Sequence, residues 1–496
     1  MNLRHNDAMQ SSPTTPAMQN QSAGSGPGLK RALGLPALVL YGIILIQPTA
    51  PMPLFGVAAE KANGHVVTLI LIGMVAMLFT ALSYGRMANA YPSAGSAYAY
   101  VSREIHSAPG YLTGWSMMFD YVMNPIICVI WCAKATMDLG KTIGVVHLLG
   151  ATFDLSILHS IRIEIWFVFY ALLFTSLNLR GIEASTRTNA LLAAGLGIVI
   201  LIFFYSAIRY LFHNPPPDAA ALTRPFYDPA TFSFKALSSG AALAVLTYIG
   251  FDGISTLSEE VHNPRRNVLL ATVLVCLITG VLASLEVYTA QLAWPRPAST
   301  FPSIENAFSH VAGLVGGRSL FIVVTAALLF ATIGSGMGAH LGAGRLLYGM
   351  GRDNAIPRKF FGYVNPRTRV PSNNIILVGV IALIMAYALD YNKKGYDLGA
   401  ELLNFGALFG FMGVNLSALI HYYVRGRDRR LRHLIPPILG FLICLYLWVS
   451  LARLTLIIGV CWLTAGVLYG AWRTSFFTRP IQFAPIDKDE HVHPPN

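Results

Sequence analysis

The sequence predicts an all-α polytopic membrane protein of about twelve transmembrane helices. The expected architecture is a five-plus-five inverted-repeat core with broken helices 1 and 6, followed by two extra helices. Three observations carry that expectation. Only 12% of the 496 residues are charged and 54% are hydrophobic, against roughly 25% charged in a typical soluble domain. Apolar stretches of about 20 residues, the length a bilayer core requires, recur from end to end. The first and the sixth of these are interrupted. With 35 Lys+Arg and 23 Asp+Glu in the whole chain, there is too little charge to cover the several domains a soluble chain of this length would form. A disordered protein, a collagen-like fibre, a disulfide scaffold and an ordinary soluble enzyme are excluded on the same ground.

The spans fall at about 34–59, 66–85, 111–138, 163–179, 190–211, 238–260, 268–293, 319–344, 374–390, 399–423, 433–450 and 454–472. Residues 30–475 therefore form one transmembrane domain, with repeats at about 34–211 and 238–423 and the extra spans within 433–472. Residues 1–29 are rich in Ser, Pro, Gln and Gly and lack the early apolar core of a signal peptide. They read as a disordered cytoplasmic tail, and 476–496 as a second one. Lys and Arg mark the cytoplasmic side of a membrane protein. Most of the 35 fall on one side if the N-terminus is inside, and Arg425, Arg427, Arg429, Arg430 and Arg432 are the strongest anchor. The expected location is the inner membrane with both termini cytoplasmic. The net charge of +12 thus reports topology, because the basic residues lie in short clusters and not along one face as a nucleic-acid partner would require.

The first span carries Gln47-Pro48-Thr49-Ala50-Pro51-Met52-Pro53. Three prolines so close together remove backbone donors and clash with preceding carbonyls, so a continuous helix is not expected. Unwound backbone at membrane depth is tolerated where it lines a cavity or is buried in protein. Gln47 sits about 20 Å along the span, somewhat past its middle. The sixth span carries Tyr248-Ile249-Gly250-Phe251-Asp252-Gly253, two glycines around an acid. Interrupted segments at matching places in two halves point to a transporter's binding site. Half-helix N-termini suit a carboxylate and exposed carbonyls suit an ammonium group. That is chemistry for a small zwitterion or amine.

Ionisable residues inside spans are costly and usually functional. Asp120 lies about 14 Å from the expected start of span 3, near the midplane. It is the candidate for an ammonium group or a proton. Asp252 is a candidate for shaping the break and for gating, with Tyr248 and Phe251 as an aromatic gate. Glu286 lies nearer the outer end of span 7 and His340 nearer the inner end of span 8, where packing or a vestibule is expected. Lys134 is expected to snorkel outward. Span 8 contains Gly334-Ser335-Gly336-Met337-Gly338, small residues that allow close helix approach, with Ser335 a candidate for holding an ion or substrate. Asp120, Ser335 and Glu286 are the coupling candidates. The five cysteines (Cys128, Cys132, Cys276, Cys444, Cys461) lie in apolar runs without metal-ligand spacing and are expected in the core. No metal site and no cofactor are expected.

The residues Tyr91-Pro92-Ser93-Ala94-Gly95-Ser96-Ala97-Tyr98, Asn178-Leu179-Arg180-Gly181-Ile182, Gly250-Phe251-Asp252-Gly253 and Ser258-Glu259-Glu260 form an ordered series. Tyr348-Gly349-Met350-Gly351-Arg352-Asp353-Asn354-Ala355-Ile356-Pro357 and Asn404-Phe405-Gly406-Ala407-Leu408 continue it. Together they resemble the amino acid–polyamine–organocation superfamily, and the series spans most of the chain. Gly114-Trp115-Ser116 with Asp120-Tyr121, and Gly362-Tyr363-Val364, are similar to its putrescine-importer branch. The resemblance implies the five-plus-five core, the two extra spans and alternating-access transport. Two positions depart from the pattern. Pro51-Met52-Pro53-Leu54 lacks the acid usual in those importers, and residues 190–208 lack the Lys of some proton-coupled relatives. One anchoring carboxylate suits a monoamine or amino acid better than two ammonium groups.

The expected function is a secondary active transporter that imports an amino acid or a putrescine-like amine, driven by protons or by sodium. Its expected partners are that small molecule, the coupling ion and membrane lipids. Gln47, Pro48, Thr49, Ala50, Pro51, Asp120, Tyr248, Ile249, Gly250, Phe251, Asp252 and Gly253 are the expected substrate-binding residues. An exchanger, or a membrane sensor or channel, would share these features. An intramembrane enzyme would need paired catalytic groups at depth, and Ser335 and His340 do not share a helix face well. No Gly-x-x-x-x-Gly-Lys motif is present to supply ATP drive.

Overall fold

The computed structural model describes residues 33–91, 96–148, 151–180, 186–216, 218–352, 356–368, 370–391, 395–426 and 430–474. The two tails, and motif or anchor residues 92–95, 181–182, 353–355, 427 and 429, lie outside the described residues. So do the side chains of 256–260. Among the described residues, ten helices are long and apolar enough to cross a bilayer, and Leu35–Ile46 with Pro51–Lys61, bent by 54°, makes an eleventh span. Ile163–Leu179, 17 residues long, holds the place of span 4 and brings the number to twelve.

The spans follow in order. Span 1 is the bent pair, span 2 Val66–Ala90, span 3 Ser107–Ile143, span 4 Ile163–Leu179 and span 5 Thr186–His213. Span 6 is built of three pieces, the α-helix Phe234–Ala244 and the 3-10 segments Val245–Tyr248 and Phe251–Glu260. Span 7 is Pro264–Ala293, span 8 Ala307–Arg352 and span 9 Ser372–Asp390. Span 10 is Gly395–Leu419 with a π-turn at Ile420–Val424, span 11 Leu431–Val449 and span 12 Arg453–Arg473. The broken spans thus open each set of five. A loop helix, Ser96–Glu104, lies between spans 2 and 3.

Several boundaries differ from those expected. Span 3 runs for 37 residues where 111–138 was expected, because its polar end is satisfied: Asp138 accepts the Asn306 side-chain amide at 2.6 Å. Span 8 begins at Ala307 and crosses a non-helical Gly317 with φ 72°, so its first turns precede the apolar run that hydropathy detects. An antiparallel hairpin, Val145–Leu148 with Ala151–Asp154, follows span 3 and pairs Val145 with Asp154. No strand was expected there. Once the chain leaves the apolar layer it can satisfy its backbone by local pairing, which hydropathy does not report.

Spans 2 and 7, 3 and 10, and 3 and 8 are the most extensively packed pairs. With lipid as apolar as any side chain, such contacts rest on close van der Waals fit and polar links between helices. Gly406, from the Asn404–Leu408 motif, shows the fit. A Cβ there would lie 2.6 Å from the Ser116 carbonyl oxygen and 2.8 Å from the Asp120 nitrogen. Asn404 donates to the Leu243 carbonyl at 3.1 Å, next to the point where span 6 passes from α-helix into 3-10.

Two further expectations are corrected. Lys134 does not snorkel: its ammonium lies 2.5 Å from Glu305 and 3.4 Å from Asp390, because the segment before span 8 folds back over span 3. Cys461 on span 12 is exposed, whereas the other four cysteines are buried. Span 12 packs along one face only, so an apolar thiol on its other face meets lipid.

The loop helix is tied down at its last residue. The Glu104 side chain is fully buried and accepts from Tyr91 Oη at 2.7 Å and Arg425 Nη1 at 2.8 Å, with His421 Nδ1 also at 2.8 Å. Burial, then the bond to Glu104, raises the Tyr91 phenol above its usual range, so it remains a donor. Removing one partner from a buried ionic cluster strands the others. Glu104→Ala is expected to destabilise the purified protein by about 3 kcal/mol, read as a lower melting temperature. Breaking the exposed Arg162–Glu164 pair should leave that temperature unmoved.

Candidate functional site

The site begins with the turn that stops span 1. Leu35–Ile46 ends because Gln47 takes φ 69°, in the left-handed region that only glycine enters freely. Pro51 then restarts the helix at its first position, where a missing N–H costs nothing. Gln47 is held in this strained turn by its side-chain amide, which donates to the Ala331 carbonyl of span 8 at 2.8 Å. Pro48, Thr49 and Pro51 are buried, and Ala50 is half-buried.

Span 6 breaks beside it. Ile249 is extended and Gly250 adopts φ 119°. A Cβ on Gly250 would lie 3.1 Å from the Leu45 carbonyl oxygen, 3.2 Å from the Leu45 carbonyl carbon and 3.3 Å from the Ile46 nitrogen. The two breaks therefore touch backbone to backbone, and only a residue without a side chain permits it. Below them, Leu35–Ile46 packs along Phe251–Glu260, and Leu33 bridges to Val261 in parallel.

The acids expected from the sequence meet here. Asp252 stands at the N-terminus of the second half of span 6, where the backbone N–H groups of Asp252, Gly250 and Gly253 bond its carboxylate. Asp120 of span 3 lies within electrostatic reach of it. Each is 7% exposed, so both are buried but neither is sealed. Among the described residues no Lys, Arg or His pairs with either. Tyr84 and Tyr121 face both charges, and the Tyr84 hydroxyl has no hydrogen-bond partner among the described residues.

Other expected residues are placed elsewhere. Tyr248 is fully buried and donates to the Ile70 carbonyl at 2.8 Å, against span 2. Phe251 is fully buried between Tyr84 and Phe411, with both centroid distances 5.3 Å. Neither ring lines an open passage. Ser335 is half-buried and bonds Cys128, which donates to Asn124 Oδ1 at 3.3 Å. His340 is buried against the Ile375 carbonyl, with Nε2 at 2.7 Å. Glu286 is sealed in span 7, away from these groups.

Asn124 and Tyr84 were not singled out from the sequence, and Tyr121 entered only as part of the Asp120-Tyr121 motif. Asn124 is detectable by the four-residue helical spacing, since Asp120, Asn124 and Cys128 form one stripe of span 3. Tyr84 carries no such signal, because its neighbours come from spans 6 and 10. The stripe, the second break and the tyrosines bring two buried carboxylates without a cationic partner and two aromatic rings into one neighbourhood of the fold. Such a set favours a compact cation.

The solved structure of a manganese transporter from Eremococcus coleocola, in complex with an aromatic bis-isothiourea substituted compound, shares the fold. Its TM-score is 0.53 at 12% identity, covering 90% of this chain and 97% of that one. In sequence, the low-affinity putrescine importer PlaP of Escherichia coli K12 is 32% identical over 461 residues, 91% of this chain and 96% of that protein. The methylthioribose transporter of Bacillus subtilis is 26% identical, covering 89% and 92%. The branched-chain amino acid permease BcaP of the same organism is 24% identical with the same coverage.

Gly250→Ala forces a side chain into left-handed backbone already in contact with Leu45. It is expected to destabilise by about 1–3 kcal/mol and to reduce uptake far more than Gly338→Ala, where a Cβ meets nothing within 4 Å. Uptake into cells at matched expression checks this. The sequence model described as amino acid permease matches residues 54–484; the chain belongs to that family of membrane transporters and is not an enzyme.

Proposed function

We propose that this permease imports a small organic amine, with a putrescine-like diamine as the leading substrate, by alternating access coupled to protons. The observation that carries the reading is the pair Asp120 and Asp252, buried together without a cation. A buried charge without a partner is costly, and an ammonium group supplies the partner. Asp252 already fills the N-terminal end of its half-helix, the place a substrate carboxylate would otherwise take. That favours an amine without an obligatory carboxylate, and the 32% identical relative is a putrescine importer. Gln47 to Pro51 and Ile249 to Gly253 would present carbonyls and a hinge around the ligand. Residues 34–211 and 238–423 would act as the two inverted repeats, with 433–472 outside them. The arginine-rich side would face the cytoplasm of the inner membrane, with both tails there.

An amino acid is the second reading, supported by the missing acid in Pro51–Leu54 and the branched-chain permease relative. Uptake of radiolabelled putrescine, lysine and leucine into proteoliposomes separates the two. Asp120→Asn removes a charge-assisted bond worth about 1.5–3 kcal/mol, so KM for putrescine should rise about 10- to 100-fold. Saturable uptake with an unaltered KM would remove Asp120 from the site. Binding of putrescine without flux would mark a sensor instead.

A further inference from the structure

Glu286 differs from the other acids buried in the fold. It lies seven residues, about 10 Å, before span 7 ends at Ala293. Its exposure is 0%, and neither carboxylate oxygen has a hydrogen-bond partner among the described residues. Glu401 is buried as deeply, yet it is bonded by Lys61 at 2.6 Å, the Ala452 nitrogen at 3.0 Å and Thr455 at 2.6 Å. Glu104 has three partners, and Asp120 and Asp252 each keep 7% of their surface exposed. Glu286 alone among these five is both sealed and unbonded.

A carboxylate in that position would be an unpaired charge in the apolar interior, costing several kcal/mol. Packing alone gives no reason for it, since an apolar side chain would fill the space without the penalty. Span 7 has one further property: it packs against both halves of span 1 and against both 3-10 segments that flank the break in span 6. Movement at the two breaks therefore shifts elements that pack directly on the helix carrying Glu286. In the same half of the fold, the elements around span 7 carry Glu60, Lys61, Tyr248, Arg209, His213, His310 and Arg318, and His65 at the start of span 2, which is held by the Ala62 carbonyl and the Asp228 nitrogen. Span 5 adds Tyr205 and Tyr210. Lys61 is held by Glu401 and Asp397, Tyr248 donates to Ile70, and no charge among these groups acts on Glu286.

We infer that Glu286 is the proton-binding site of the transport cycle. It holds one proton in the sealed arrangement described here and gives it up when movement at the breaks opens its carboxyl to water. One proton is taken from the water on one side and released on the other, with no covalent step. The inference rests on the reading of the protein as a proton-coupled amine permease, and it separates the proton from the substrate, which Asp120 and Asp252 hold.

The test uses the full-length protein in proteoliposomes, with radiolabelled putrescine as probe and the membrane potential clamped. Counterflow without a gradient reports substrate exchange, and an imposed pH gradient reports coupling. A one-unit gradient supports about tenfold accumulation for one proton per substrate. Glu286→Gln, neutral and unable to release a proton, is expected to exchange putrescine but to accumulate it no further than equilibrium. Undiminished accumulation by this variant would overturn the assignment while leaving the transport reading intact. No putrescine counterflow by the unaltered protein would overturn the amine reading and the assignment with it. Should Glu286→Gln fail to fold, Glu286→Asp provides the readout: accumulation should return with a displaced pH profile, and a profile identical to that of the unaltered protein would refute the role.

Discussion

The contact of Gly250 with the Leu45–Ile46 backbone is the constraint on which the rest of the site depends. Two helices can each stop in mid-membrane only if the released backbone groups are sheltered in protein. Here each break shelters the other. Gln47 secures one side through Ala331, and Asn404 secures the other through Leu243. With those links in place, bare carbonyls and the N-terminus of a half-helix stand in the middle of the protein. Span 3 can then bring Asp120 against them because Gly406 lets span 10 press onto its backbone.

Electrostatics follows from that arrangement. Asp252 is stabilised by the N–H groups of its own half-helix, and Asp120 has no such support. Neither acid has a cationic partner among the described residues. Among the described residues, three other buried clusters are neutralised within the protein. Lys61 bonds Glu401 and Asp397, Lys134 bonds Glu305 and Asp390, and Glu104 is met by Tyr91, His421 and Arg425. The contrast separates acids that hold the fold together from acids available for function.

Much of this was legible before any coordinates. Prolines 48, 51 and 53 and glycines 250 and 253 disclose the breaks, since each residue type limits backbone geometry locally. Asp120 stands out because a charge inside an apolar run is conspicuous. Other features were hidden for an equally physical reason. The role of Lys134 depends on Glu305, 171 residues away. Tyr84 joins the site only because spans 6 and 10 enclose it, and the hairpin after span 3 forms by pairing that hydropathy does not register.

The order of residue types was enough to assign the solvent of each segment and the places where helices must stop. Hydropathy, proline and glycine act over a few residues, so these are local properties. Only the packed fold shows which acids are compensated and that, among the described residues, Glu286 is sealed without a hydrogen-bond partner. Those are properties of pairs brought together across hundreds of residues, where a distance of a few ångströms separates an ion pair from an unpaired charge.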